Sequence, residues 1–65
     1  MRLFFKPVEI AEVLALNPET IRKHIRCGNI KAVRVGNSWR IPRVEAIRAV
    51  GTEDVLRRFD DDESR

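Results

Sequence analysis

Apolar and polar positions along this 65-residue chain follow two periods, and the change from one to the other marks its elements. From Pro7 onward, VEIAEVLAL sets Ile10, Ala11 and Leu14 on one side with Val13 beside them, and Glu9 and Glu12 opposite. That is the spacing of an amphipathic helix. Pro7 suits a first helical position, where a missing N–H costs nothing, whereas Lys6 before it is a poor cap. Leu3, Phe4 and Phe5 form a short apolar lead-in, an edge strand or a staple onto that helix. A second helix, NPETIRKHIR, is better punctuated. Asn17 is its N-cap, Pro18 its first residue and Glu19 a match for the helix dipole, while Gly28 after Cys27 is a left-handed stop. The two helices, joined by a tight turn around Leu16, Asn17 and Pro18, predict a helix-turn-helix.

Beyond Gly28 the period falls to two. KAVRVGNSWRIP predicts a β-hairpin with two available registers. A two-residue turn at Gly36-Asn37 pairs Arg34 with Trp39 and Val33 with Arg40. A three-residue loop, Gly36-Asn37-Ser38, pairs Val35 with Trp39 and Val33 with Ile41, and puts Arg34 and Arg40 together on the other face. Only the second separates apolar from charged side chains, so it is the register expected. Pro42 ends the strand and opens a third helix, RVEAIRAV, with Val44, Ile47 and Val50 turned inward and Gly51 as its breaker. Thr52 caps a fourth, EDVLRRF, which has Val55, Leu56 and Phe59 to bury. The closing DDDESR has no apolar anchor and is expected to be disordered. The fold expected is mostly α with a small β-hairpin: a winged helix-turn-helix of three to four short helices over residues 1–50. Residues 51–65 add a short helix and an acidic tail.

Composition narrows the chemistry. One cysteine, Cys27, allows no intrachain disulfide and no four-thiolate metal site, which points to a reducing compartment, the cytoplasm. No apolar run approaches the roughly 20 residues of a membrane span. Residues 1–50 carry ten Lys or Arg against four Glu, and residues 51–65 three Arg against six acids, so +6 and −3 give the net +3. His24 and Cys27 lie three apart on the second helix, a spacing open to a nucleophilic pair. Such a pair needs an orienting group and a walled pocket, and two ligands are too few for structural zinc. His24 is expected to pack beside Ile21 and Ile25 instead. Neither catalysis nor a cofactor is expected.

The stretch from Thr20 to Val44 holds seven Lys or Arg and no acid. With Ile21 and Ile25 inward, the second helix turns Glu19, Thr20, Arg22, Lys23 and Arg26 outward, a set suited to a DNA major groove, where Arg reads guanine and Glu accepts from cytosine. Glu19 has two readings: a base-reading or Arg-orienting carboxylate, or simply a dipole-matched first-turn residue or i, i+4 partner of Lys23. Arg34 and Arg40, flanking the small polar tip with Asn37 and Ser38, suit a wing laid over a phosphate ridge. Trp39 is expected inward, in the core, rather than as a stacking platform.

Taken in order, the Glu9-x-Ala11 first helix, the turn into NPETIRKHIR, the Gly28 stop and the wing VRVGNSWRIP followed by a helix resemble the winged-helix DNA-binding domain of the excisionase family, related to the MerR-type head. The likeness covers about residues 4–50. The chain departs from it at His24, where a large aromatic is usual, and at Lys6, where a Thr is usual. The resemblance implies that the second helix enters the major groove through Glu19, Thr20, Arg22, Lys23 and Arg26. It also implies that the wing reaches the adjacent minor groove or backbone through Arg34 and Arg40. It further implies an excisionase, or recombination directionality factor, of a phage or integrative element in a bacterial cell. Such a protein binds duplex DNA near an attachment site beside further copies of itself, bends it, and turns a tyrosine-type integrase toward excision. A small transcriptional regulator of the same fold and an adaptor for an acidic protein partner are the alternatives. The acidic tail is a contact for integrase or a neighbouring copy, or merely solubilising.

Overall fold

The structure, a computed structural model, describes residues 2–63, with side chains through Asp60. In chain order the elements are β1 (Phe4–Phe5), α1 (Pro7–Leu14), α2 (Pro18–Arg26), β2 (Val33–Val35), β3 (Ser38–Pro42) and α3 (Arg43–Val50). A 3-10 turn (Asp54–Leu56) and α4 (Arg57–Glu63) follow. The fold is a winged helix-turn-helix, with the hairpin widened to a three-stranded antiparallel sheet of order β1-β3-β2. The short lead-in is therefore a strand, pairing Phe4 with Pro42 and Phe5 with Ile41.

Both helix ends of the helix-turn-helix are closed by backbone. At the end of α1, Leu16 N–H donates to Ala11 O at 2.8 Å while Ala15 takes a left-handed φ of 57°. At the end of α2, Asn29 N–H donates to His24 O at 2.9 Å around Gly28 at φ 87°. Each is the Schellman arrangement, which uses a left-handed residue to satisfy late carbonyls. Gly28 accepts that conformation freely, but Ala15 does so against its Cβ. Between the two, the Asn17 side chain accepts from Glu19 N–H at 2.9 Å and starts α2 as expected.

The core joins Phe5, Ile10, Ala11, Ile21, Ile25, Ile41, Ala46, Leu56 and Phe59, with Trp39 and Ile47 packed against it. Several expectations need correction. The hairpin pairs Val33 with Arg40, Arg34 with Trp39 and Val35 with Ser38, so the turn is the two-residue one. Gly36 has φ 62° and Asn37 no positive φ, the signature of a type II′ turn, whose twist matches that of the strands. Sorting by face failed because β2 buries nothing: Val33 and Val35 are exposed, and β3 alone supplies Trp39 and Ile41. In α3, Val44 is 69% exposed, because Arg43 and Ala46 take the inward positions with Ile47 and Val50. In the last segment Leu56 and Phe59 are buried but Val55 is not. The expected single helix is a 3-10 turn, begun by Thr52 Oγ1 accepting from Asp54 N–H at 3.2 Å, that passes into α4. Of the expected disordered tail, Asp60 to Glu63 continue α4, and Ser64 and Arg65 lie outside the described residues.

Ion pairs fasten this end. Arg43 donates through Nη1 and Nη2 to Asp60 at 2.9 Å each, and through Nε to Glu53 at 3.2 Å. Arg2 holds Glu9 in a two-pronged pair and lies 5.0 Å from the Phe5 ring centre. The Arg43 hydrogen bonds, with the Arg2 N–H, bring the Asp60 carboxyl down to about 2 from 3.8. Burial alone would raise Glu9, but the Arg2 guanidinium and the Lys6 N–H together hold it below its usual value.

Replacing exposed Ala15 by Gly removes the Cβ penalty of the left-handed turn and should stabilise the chain by about 0.5–1 kcal/mol, less than the full penalty because glycine loses more chain entropy. A thermal melt that moves downward would contradict it. Because Asp60 is the stronger acid when folded, its contribution is complete above the ordinary 3.8 and lost as pH falls toward about 2. Asp60→Asn should therefore lose stability near neutrality and flatten the acid-unfolding curve over that window; an unaltered curve would rule the pair out as its source.

Candidate nucleic-acid interface

At about 100° per residue, Glu19, Arg22, Lys23 and Arg26 fall within about 100° of the α2 circumference, opposite Ile21 and Ile25. All four are exposed, whereas Thr20 is half-buried on the flank away from Arg22. Glu19 Oε2 accepts from Arg26 Nη2 at 3.3 Å, across two turns of the helix. Both side chains are more than half exposed, so the pair adds little stability. The contact sets the Arg26 guanidinium beside the Glu19 carboxylate on the outer face of the helix.

The wing joins this face through a groove. Arg22 of α2, Asn37, Ser38, Trp39 and Arg40 of the hairpin, and Lys6, Pro7 and Val8 at the start of α1 line an open depression of about 270 Å³. The two-residue turn sends Arg34 and Arg40 to opposite faces of the ribbon, against the expectation that they share one. Arg40 shares its face with Val33, Val35 and Phe4 and donates through Nη1 to Trp39 O at 3.1 Å. Arg34 instead lies 5.3 Å from the Trp39 ring centre and donates through Nε to Gly36 O at 3.3 Å. Trp39 is thus half core and half groove wall, with a cation stacked on it. Asn37 and Ser38 stand exposed at the tip.

Charge is distributed unevenly over the described residues. The arginines outside this region pair with acids: Arg2 with Glu9, Arg43 with Glu53 and Asp60, Arg48 with Glu45, Arg57 with Asp54, and Arg58 with Glu12. Lys6, Arg22, Lys23, Lys31, Arg34 and Arg40 have no carboxylate partner among the described residues. Neutralised cations gather around α3 and α4, and uncompensated ones around α2 and the wing. Lys6 was not among the sequence-derived candidates. The signal for it was its misfit as a helix cap, a position where Ser, Thr, Asp or Asn serves better.

The remaining reactive groups form no site. His24 is half-buried, with Nδ1 3.1 Å from Asn29 Nδ2, and the Cys27 thiol is exposed. Among the described residues no three His, Cys, Asp or Glu side chains gather around a metal-sized space, and no helix is long and apolar enough to cross a membrane.

A helix-turn-helix whose exposed cationic helix shares a groove with a β-ribbon defines the winged helix-turn-helix class of DNA-binding domain. The chain belongs to the helix-turn-helix domain family, whose model matches residues 4–45, from β1 into the first turn of α3. No curated protein and no solved structure matches it significantly.

Proposed function

We propose that this protein is a DNA-bending excisionase that binds duplex DNA near an attachment site, beside further copies of itself, and directs a tyrosine-type integrase toward excision in a bacterial cell. The observation that carries the reading is the groove shared by Arg22 and Arg40. A helix and a ribbon meeting there straddle one sugar-phosphate ridge, with α2 toward the major groove and the hairpin toward the adjacent minor groove. Arg22, Lys23 and Arg26 are the side chains set for base edges and phosphates, with Glu19 orienting Arg26. Thr20 guards the flank of α2, and Arg34, Arg40, Asn37 and Ser38 supply the wing. The excisionase assignment rests on the order and spacing of motifs from Glu9 to the helix after WRIP, and on membership of a domain family that includes excisionase-like proteins.

The physical task is within reach of so small a module. Bending 20–30 bp costs on the order of 1–6 kcal/mol, and several adjacent basic domains meet that from backbone contacts alone. The protein itself makes and breaks no bond in this role.

Mobility-shift assays on attachment-site fragments should show stepwise complexes, with mobility that depends on where the site lies in the fragment. With about five phosphates contacted, log affinity should fall against log salt with a slope of about −4.5. Straight DNA in every complex would sink the bending role. Unbent binding at a promoter, with transcription altered in the absence of integrase, would assign the chain as a regulator instead.

A further inference from the structure

Lys6, Arg22 and Arg40 come from three separate elements, the residue preceding α1, the middle of α2 and the centre of β3, and yet they line one groove. No acid lines that groove. The nearest acid in sequence, Glu9, bonds the Arg2 guanidinium and the Lys6 N–H at 2.8 Å; the Lys6 charge helps to lower its pKa but makes no ion pair with it. Like charges gathered without a counter-charge repel one another, and a folded chain keeps such a cluster at a cost to its own stability. Asn37 and Ser38 add neutral donors at one rim, and Trp39 closes a wall.

We propose that this groove is the seat of one backbone phosphate of duplex DNA, and that Lys6 is a DNA-contacting residue of the protein. The inference rests on the DNA-binding reading above and deepens it. A ridge that separates major from minor groove must pass between the recognition helix and the wing, and the Lys6–Arg22–Arg40 groove is the space between them. Lys6 enters it from the third side as a point charge with three donors, able to follow the phosphate without fixed geometry. The arrangement also accounts for Lys6 at a position where a capping residue would serve the helix better: its side chain serves the ligand, while the first turn is held by the Glu9 carboxylate accepting from the Lys6 N–H and the Lys6 carbonyl accepting from the Glu9 N–H.

The test is equilibrium binding of the full chain to a mixed-sequence duplex, followed by fluorescence anisotropy over a salt series. Lys6→Thr is the informative variant, since Thr is the better N-cap and should leave the thermal midpoint equal or higher while removing the charge. The slope of log affinity against log salt should flatten by about one unit. Arg57→Ala removes the same net charge from α4, outside the groove, and should leave the slope where it was. If the wild-type chain binds and Lys6→Thr keeps its full slope, or Arg57→Ala loses as much, the phosphate seat is wrong and the winged-helix reading survives. If the wild-type chain does not bind duplex DNA even at low salt, both readings fall together.

Discussion

Phe5 is the point on which the architecture turns. Its backbone pairs with Ile41, attaching the N-terminal strand to the central strand of the wing. Its fully buried ring meets Phe59 edge-on at 5.7 Å and lies under the guanidiniums of Arg2 and Arg43. Those arginines are partly desolvated there, and each is matched by a carboxylate: Glu9 for one, Asp60 and Glu53 for the other. A single aromatic side chain thus holds the wing, α1, α3 and α4 in one arrangement. Without the acids above it, that arrangement would leave two half-buried charges uncompensated.

The same constraint divides the surface. Acids of α1, α3 and the C-terminal segment are spent on arginines of that side, which leaves Lys6, Arg22, Lys23, Arg34 and Arg40 without a carboxylate partner among the described residues. The division is what a polyanion binder requires, because a phosphate gains most from cations that have no carboxylate to give up. A core of so few residues cannot hold a large excess of charge against its own repulsion. Separating the signs, rather than raising the net charge, gives a basic face on a chain whose formal charge is only +3.

Much of this was legible in the sequence. Asn17, Pro18 and Gly28 marked α2 because caps and stops are local chemistry, and Ile21 and Ile25 then fixed which face looks out. The wing existed in the pattern, but its register did not. Two turns suited the same residues, and the choice depended on whether Val33 and Val35 need burial, which an edge strand does not require of them. Arg43 was hidden for a related reason. An arginine reads as exposed until its partner is known, and Asp60 is seventeen residues away, on a segment with no long-range signal of its own. Ala15 gave no sign of a left-handed turn, since the residue that announces one is glycine. Lys6 could be seen only as a poor cap until the fold set it beside Arg22 and Arg40.

The central claim is that one cationic face, built from α2 and the wing around a shared groove, is where DNA lies. Amide chemical-shift mapping of the full chain during titration with a short duplex tests it most directly. The account predicts that the largest changes fall on residues 6–8, 19–26 and 34–40, while the amides of Arg43, Phe59 and Asp60 stay in place. Changes concentrated on α3 and α4, with the groove undisturbed, would contradict it.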